Sequence, residues 1–584
     1  MKKLFITLLF VFVFMITGCN NPDNNEKLYG ITINGSQKMY VDKTYTYEAI
    51  FDPSDYSNQE VVWSASDETK VTIDSKTGEA VAINSTNEEG LFIYATSVDK
   101  PNIKGSKKVF IIGNDYYDPV YPDLNGYTIT IAHADHLLSE IDPFLDGYNN
   151  SDKLAKQEAW KEVEKDFNCK IEVKQYPASA EWGPSRWNYI IYSALNNESK
   201  FDFCVVPNSK VKQFADVKAI MSLKDFYVLH GNNMMDDINI AAGKYNNELY
   251  AFTEEKSNIY NVLYYNIGLL EKLQEIDSSL EEPAQIFLDG SWTYDKFIEY
   301  CEQVQNIMEI AYGNNGKAGS SEQQYFAVSG WDAYLWIGLS TNDKEPIADV
   351  SSLQINITTP HKTQAADVVK ELYSKHYADP KQNIDQNVVS WINGKSLFNT
   401  GDLWFVRDEN RWSKDLWGDD TRYGYVPWPR ANDIKFEDIQ IALGGNDSTL
   451  VMPYGRNYEG YGDECNPENI YYALMEMYIR TNKKMSENDT LIENNVKYDA
   501  NIYTDSEASQ KAYIYVQELI NAKKCYFDPI VVPSVAWDYY YPNQINSFNM
   551  TILKKSLNYF VSNQIDSWEN AIERVIEELS IVVK

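Results

Sequence analysis

The sequence predicts a protein in two parts, a small all-β sandwich near the N-terminus and a much larger α/β body divided into two lobes. Three observations lead to this. Residues 28–113 consist of short segments that alternate apolar with polar residues between turn signals, and they show no helical period. From Tyr127 onward strand-like and helix-like segments alternate, the pattern of a parallel sheet with crossover helices. Residues 127–584 also exceed the ~250–300 residues at which a single hydrophobic core stops growing, so this region divides into two lobes.

Taken in order, the chain opens with "MKKLFITLLFVFVFMITGCN". Lys2 and Lys3 precede an apolar run from Leu4 to Ile16 that is shorter than the ~20 residues a helix needs to cross a bilayer. Residues 1–18 therefore read as a secretory signal peptide. Its end, Ile16-Thr17-Gly18-Cys19, is not an A-x-A-like site but resembles the lipobox of bacterial lipoproteins. The resemblance implies that Cys19 becomes the new N-terminus and carries a diacylglycerol. The protein would then be held on the extracellular face of the cytoplasmic membrane, as in a Gram-positive bacterium. Residues 19–27, "CNNPDNNEK", have too little apolar surface to fold and read as the lipid-bearing tether. No second apolar run of spanning length follows.

Composition narrows the function. The chain has 584 residues, with 52 Lys+Arg against 85 Asp+Glu, and the formal net charge of −33 repels phosphate backbones, so nucleic acid is excluded as a partner. Beyond Cys19, the cysteines at 169, 204, 301, 465 and 525 are widely scattered, with neither CxxC spacing nor a disulfide framework.

Within residues 28–113, Tyr45, Tyr47, Ala49 and Phe51 alternate with polar neighbours before the turn at Asp52-Pro53-Ser54-Asp55, and Val61-Val62-Trp63 opens the next strand. Thr77-Gly78 turns between "KVTID" and "AVAI", and about six or seven strands are expected in all. Trp63 is expected to fill the space between the sheets. The runs "ITINGSQKMYV", "VVWSASDETKVTIDSKTGEAVAI" and "IYATS" resemble a bacterial immunoglobulin-like domain, group 2. Such domains act as spacers or as adhesive modules. Residues 114–126, turn-rich and without period, read as a linker.

In residues 127–584 helices are expected at Tyr294 to Met308, Lys362 to His376, Asn469 to Asn482, Ser506 to Lys523 and Ser567 to Leu579. Gly394-Lys395-Ser396 resembles the tail of a phosphate-binding loop, but Val389 stands where the loop's first glycine belongs. His133 and His136 have no third ligand at a suitable spacing, and no G-x-S-x-G elbow occurs. Neither a metal nor a cofactor is expected, and no catalytic residue is assigned.

The 44 Tyr, 14 Trp and 23 Phe are the stronger signal, because pyranose C–H faces stack on aromatic rings while hydroxyls need Asp, Asn or Arg at the rim. Trp182, Trp331, Trp336, Trp391, Trp404 and Trp428 fall in or near loop-like sequence. The segments "KYNNELYAFT", "VLYYNIGLLEKL", "GSWTYDKFIEYCEQV", "WINGKSLFNTGDLW", "YGYVPWPR" and "LGGNDSTLVMPYGRN", in this order, resemble a family 1 extracellular solute-binding protein, the carbohydrate-capturing lipoprotein of an ABC importer. The resemblance implies a type II periplasmic-binding-protein-like fold with an inter-lobe cleft and a non-enzymatic role. Its partners would be a carbohydrate ligand, the transmembrane subunits of an ABC permease, and the membrane through the lipid anchor. The candidate ligand-binding residues are Asp402, Trp404, Trp331, Trp428, Trp182, Asn446 and Asp447. Asp402 and Trp404, two apart, would face the same side of an extended segment. A surface glycan-degrading enzyme and a non-transporting glycan sensor or adhesin are the alternatives.

Overall fold

The structure is a computed structural model, and it describes residues 27–112 and 121–582 except 42, 55, 87–89, 149, 182, 342–344, 350–353, 382, 384–386, 408–410, 413, 447, 487–499, 502 and 533–549. Residues 1–26, Cys19 among them, which the sequence reading assigns to a signal segment and tether, lie outside the described residues. The chain forms two compact units, Met1–Val120 and Tyr121–Lys584.

The described residues of the first unit form strands and turns alone. Strands Lys38–Tyr40, Lys104–Ile112, Leu91–Ser97 and Val61–Ala65 form one sheet in that order. Thr44–Thr46, Glu79–Ala82 and Val71–Ile73 form a second, and Gly30–Asn34 pairs with Glu48–Asp52. The period of two in the sequence drives this arrangement: Leu91, Ile93 and Ala95 are buried while Phe92 between them is 40% exposed. Trp63, Tyr47, Met39 and Val71 lie in the core between the sheets. Gly78, at φ +73°, brings the backbone close to this tryptophan; a Cβ there would lie 2.5 Å from the Tyr47 carbonyl oxygen and 2.8 Å from the Trp63 ring. Gly78→Ala is therefore expected to destabilise this unit by about 2 kcal/mol, read as an earlier unfolding transition in urea.

The second unit begins sooner than the sequence suggests. The linker was expected to run to residue 126, but Leu124 is fully buried and the Tyr121 ring packs 4.7 Å from that of Phe167. These apolar side chains complete the core beside the strand Tyr127–His133, so residues 121–126 belong to the body.

The body is built on two main sheets, of five and four strands, each with its own helices. In the first lobe the order is Cys169–Gln175, Tyr127–His133, Phe203–Pro207, Ser448–Val451, Ala251–Phe252. The first three strands are parallel, and Ser448–Val451 runs antiparallel to the neighbours on both of its sides. The helices Lys153–Asp166 and Pro467–Ser486 pack together, with Trp160, Val163, Ile470, Leu474 and Met477 in a shared core. In the second lobe the order is Phe326–Ser329, Ser396–Asp402, Asn261–Asn266, Tyr423–Val426. Phe398 on its central strand packs against Trp292, Phe297 and Tyr300. Among the described residues the chain passes between the lobes after Phe252 and again between Leu443 and Ser448, and the helices Pro467–Ser486 and Glu507–Asn521 belong to the first and the second lobe. This is the two-lobed α/β architecture that the sequence predicts. All five helices expected from periodicity are present, among them Tyr294–Tyr312 and Trp568–Val582.

Candidate functional site

The first crossover, residues 253–260, organises the ends of both sheets. Parallel strands carry their loops at the C-terminal edge, where ligands of open α/β sheets bind. In the first lobe that edge holds His133 and Asn208, and the crossover leaves from the same edge after Phe252. In the second lobe the crossover enters at Asn261, which pairs with Asp402 at the end of its strand.

Hydrogen bonds tie the crossover to both lobes. Lys156 is completely buried on helix Lys153–Asp166, and its ammonium bonds to the Glu254 carboxylate. The rings of Tyr148 and Tyr478 lie 5.2 and 5.5 Å from that ammonium. Burial pushes the Glu254 carboxyl up to about 7 despite the opposing pull of Lys156. Asp236 accepts from the Ser257 amide at 2.7 Å and its hydroxyl at 2.8 Å. Toward the second lobe, the Asn258 amide group donates to the Tyr513 hydroxyl at 3.0 Å and accepts from Gln517 at 2.7 Å.

An aromatic cluster sits where the crossover reaches the second lobe. Trp404 is half-buried, and its indole N–H donates to the Tyr260 hydroxyl at 3.1 Å. The Arg411 guanidinium lies 5.4 Å from the Trp404 ring centre, within cation–π range. Trp331 is also half-buried and follows the parallel neighbour strand Phe326–Ser329; the Lys554 ammonium lies 3.9 Å over its ring. Two tryptophans, each with a cation against its face, thus sit at the same edge of one sheet. Such an edge offers rings for apolar sugar faces and N–H donors for hydroxyls.

The candidate ligand residues fall into three groups. Trp404 and Trp331 stand at this edge and keep partial exposure. Asp402 is nearby but buried, and its relation to Trp404 differs from expectation. The strand ends at Asp402 and Leu403–Arg407 is a 3-10 helix, in which successive residues turn by about 120°, so positions i and i+2 no longer share a face.

Trp428 and Asn446 serve the scaffold. Trp428 is 5% exposed, its indole N–H donates to the Asn261 carbonyl at 2.9 Å, and its ring occupies the space left by Gly338. Asn446 lies in the second crossover, where its backbone N–H donates to Asn239 Oδ1 at 2.8 Å, its side-chain oxygen accepts from the Ser448 amide at 2.8 Å, and its amide nitrogen donates to Glu255. Its hydrogen-bonding groups join the two crossovers. Trp182 and Asp447 lie outside the described residues. Trp336 and Trp391, which the sequence also puts near loops, are fully buried on helices.

Sequence reasoning missed Tyr260, Arg411 and Lys554. Tyr260 had a usable signal, as an aromatic directly before a strand at the crossover; Lys554 had none, since it comes from a helix more than two hundred positions from Trp331.

A cavity of about 400 Å³, lined among others by Met221, Phe226, Tyr454 and Arg456, lies away from this edge. It belongs to the opposite end of the first sheet, where Arg456 Nε donates to the Tyr127 hydroxyl at 2.7 Å and meets the fully buried Asp202 carboxylate at 3.3 Å.

Neither a protein-family model nor a curated protein matches the sequence. Among solved structures, the chain is similar to the GacH receptor of Streptomyces glaucescens, described unliganded and with acarbose, at 14% identity and a TM-score of 0.44 over 78% of this chain and 97% of that one. It is similar to the sugar-binding protein MalE of Xanthomonas citri at 12% identity and a TM-score of 0.46, covering 77% and 96%. MalX of Streptococcus pneumoniae, in complex with maltopentaose, aligns at 14% identity and a TM-score of 0.44, covering 77% and 100%.

Proposed function

We propose that this chain is a lipid-anchored, extracellular binding protein that captures a carbohydrate, an oligosaccharide by preference, between its lobes and delivers it to an ABC-type permease without chemical turnover. The observation that carries the reading is the aromatic edge of the second sheet, with Trp404 held by the Tyr260 hydroxyl and backed by Arg411, and Trp331 backed by Lys554. Rings fixed in orientation before binding save the cost of ordering them, and micromolar affinity corresponds to only about −8 kcal/mol. The crossover that carries Tyr260 is bonded to both lobes, so closure of the lobes and the setting of the Trp404 ring are linked mechanically.

The test is titration of the protein with an oligosaccharide panel that includes maltopentaose, read by calorimetry and by chromatography of the sugar. Binding with no shortened product supports the proposal; chain shortening ends it. Trp404→Ala is expected to weaken binding about tenfold, or ~1.4 kcal/mol, with a small change in melting temperature. An unchanged affinity would remove Trp404 from the site. The anchor is tested separately: Cys19→Ser should shift the protein out of the membrane fraction, and unchanged detergent partitioning would defeat the lipobox reading.

A further inference from the structure

We propose that the outward face of the four-stranded sheet in the first unit binds an anionic polysaccharide, one whose sugars carry carboxylate groups. None of the four strands, KMY, KGSKKVFII, LFIYATS and VVWSA, contains Asp or Glu, although the whole chain has 85 such residues. The alternation that buries Ile93, Ala95 and Val109 turns Phe92, Tyr94, Lys104, Lys108 and Phe110 outward.

Cross-strand register interleaves these cations and rings. Phe92 stands opposite Lys108, and Thr96 opposite Lys104. The Lys104 ammonium lies 3.2 Å over the Tyr94 ring, and that of Lys108 lies 5.4 Å from the Phe110 ring. Both lysines thus rest on aromatic faces, which leaves their charge available to an outside anion. The Phe92 and Tyr94 rings stack with centroids 6.2 Å apart and planes 14° from parallel, and Phe92 keeps 40% exposure.

This arrangement suits a charged sugar polymer. The exposed Phe92 ring offers apolar surface to a pyranose face, and the outward hydroxyls of Ser64, Thr96 and Ser106 match sugar hydroxyls. The remaining acidic surface is screened beyond ~8 Å at physiological ionic strength, so a local positive face acts on its own neighbourhood. A bilayer is the poorer fit, because the lysines lie on the rings instead of surrounding an apolar tip that could insert. Single-stranded nucleic acid carries a phosphate at every nucleotide, which the chain's net charge of −33 opposes, and the oligonucleotide arm of the test distinguishes it.

The test uses the full chain on polygalacturonate and on poly(glycerol phosphate), measured by affinity electrophoresis beside fully methyl-esterified polygalacturonate. Retention by polygalacturonate and not by the ester supports the proposal, whereas equal retention by poly(glycerol phosphate), which has no sugar ring, overturns it. The double variant K104Q/K108Q is expected to lose about tenfold in affinity, and Phe92→Ala about fivefold, with circular dichroism unchanged. Lys76→Gln, a charge removed elsewhere in the same unit, should bind normally. Equal retention by the ester, or anionic retention indifferent to K104Q/K108Q, overturns the proposal. So does binding restricted to phosphatidylglycerol vesicles or to a single-stranded oligonucleotide.

Discussion

Replacing Trp428 with alanine is expected to lower stability by about 3–5 kcal/mol while sparing the affinity of the folded protein for sugar. The side chain is buried in the second lobe, and its removal leaves a cavity that the neighbouring strand and helix cannot fill. It also leaves the Asn261 carbonyl without the indole donor now 2.9 Å away, at the point where the first crossover joins the sheet. The same contact can be broken from the other side. A Cβ added at Gly338 would come within 2.0 Å of the Trp428 ring, so Gly338→Ala should destabilise the same lobe through overpacking. Urea unfolding followed by tryptophan fluorescence measures both effects. If Trp428→Ala melted like the parent and lost affinity instead, the ring would be a ligand platform after all.

Lys156→Met is the second large effect, expected at about 3 kcal/mol at pH 8, because it leaves the Glu254 carboxylate buried without its cation. The loss should shrink at pH 5.5. Burial raises the Glu254 carboxyl from its ordinary 4.5 to about 7, so the native state holds this proton more tightly than the unfolded chain does. The stabilisation from that proton is fully present below 4.5 and is lost as the pH rises through 7. At pH 5.5 the variant therefore buries a neutral acid, and at pH 8 an unpaired charge. Denaturant titrations at the two pH values decide it; equal losses would mean that Glu254 finds another partner or reaches water. Since Glu254 opens the first crossover, the variant also tests whether this pair holds the crossover against the first lobe.

The sequence alone determined the large-scale order of this protein. Period-two alternation marked the strands around Trp63, and long apolar stripes marked helices such as Pro360–Ser374 and Glu507–Asn521, because those patterns record which side of an element is dry. Length alone required the body to divide. Local pattern could not say which tryptophans meet solvent. Trp336, Trp391 and Trp428 sit in sequence as loop-like as that around Trp404 and Trp331, yet the first three are buried and the last two are partly open. That difference depends on what packs against each ring: Gly338 beneath Trp428, Trp412 and Trp417 around Trp391, but Arg411 beside Trp404 and Lys554 over Trp331. Likewise, no local pattern could place Asn446 beside Asn239 and Glu255, partners roughly two hundred positions away in the chain. Pattern within a segment fixes burial relative to that segment's own axis; the partner that covers or exposes a side chain is supplied by distant chain, and only the tertiary structure decides it.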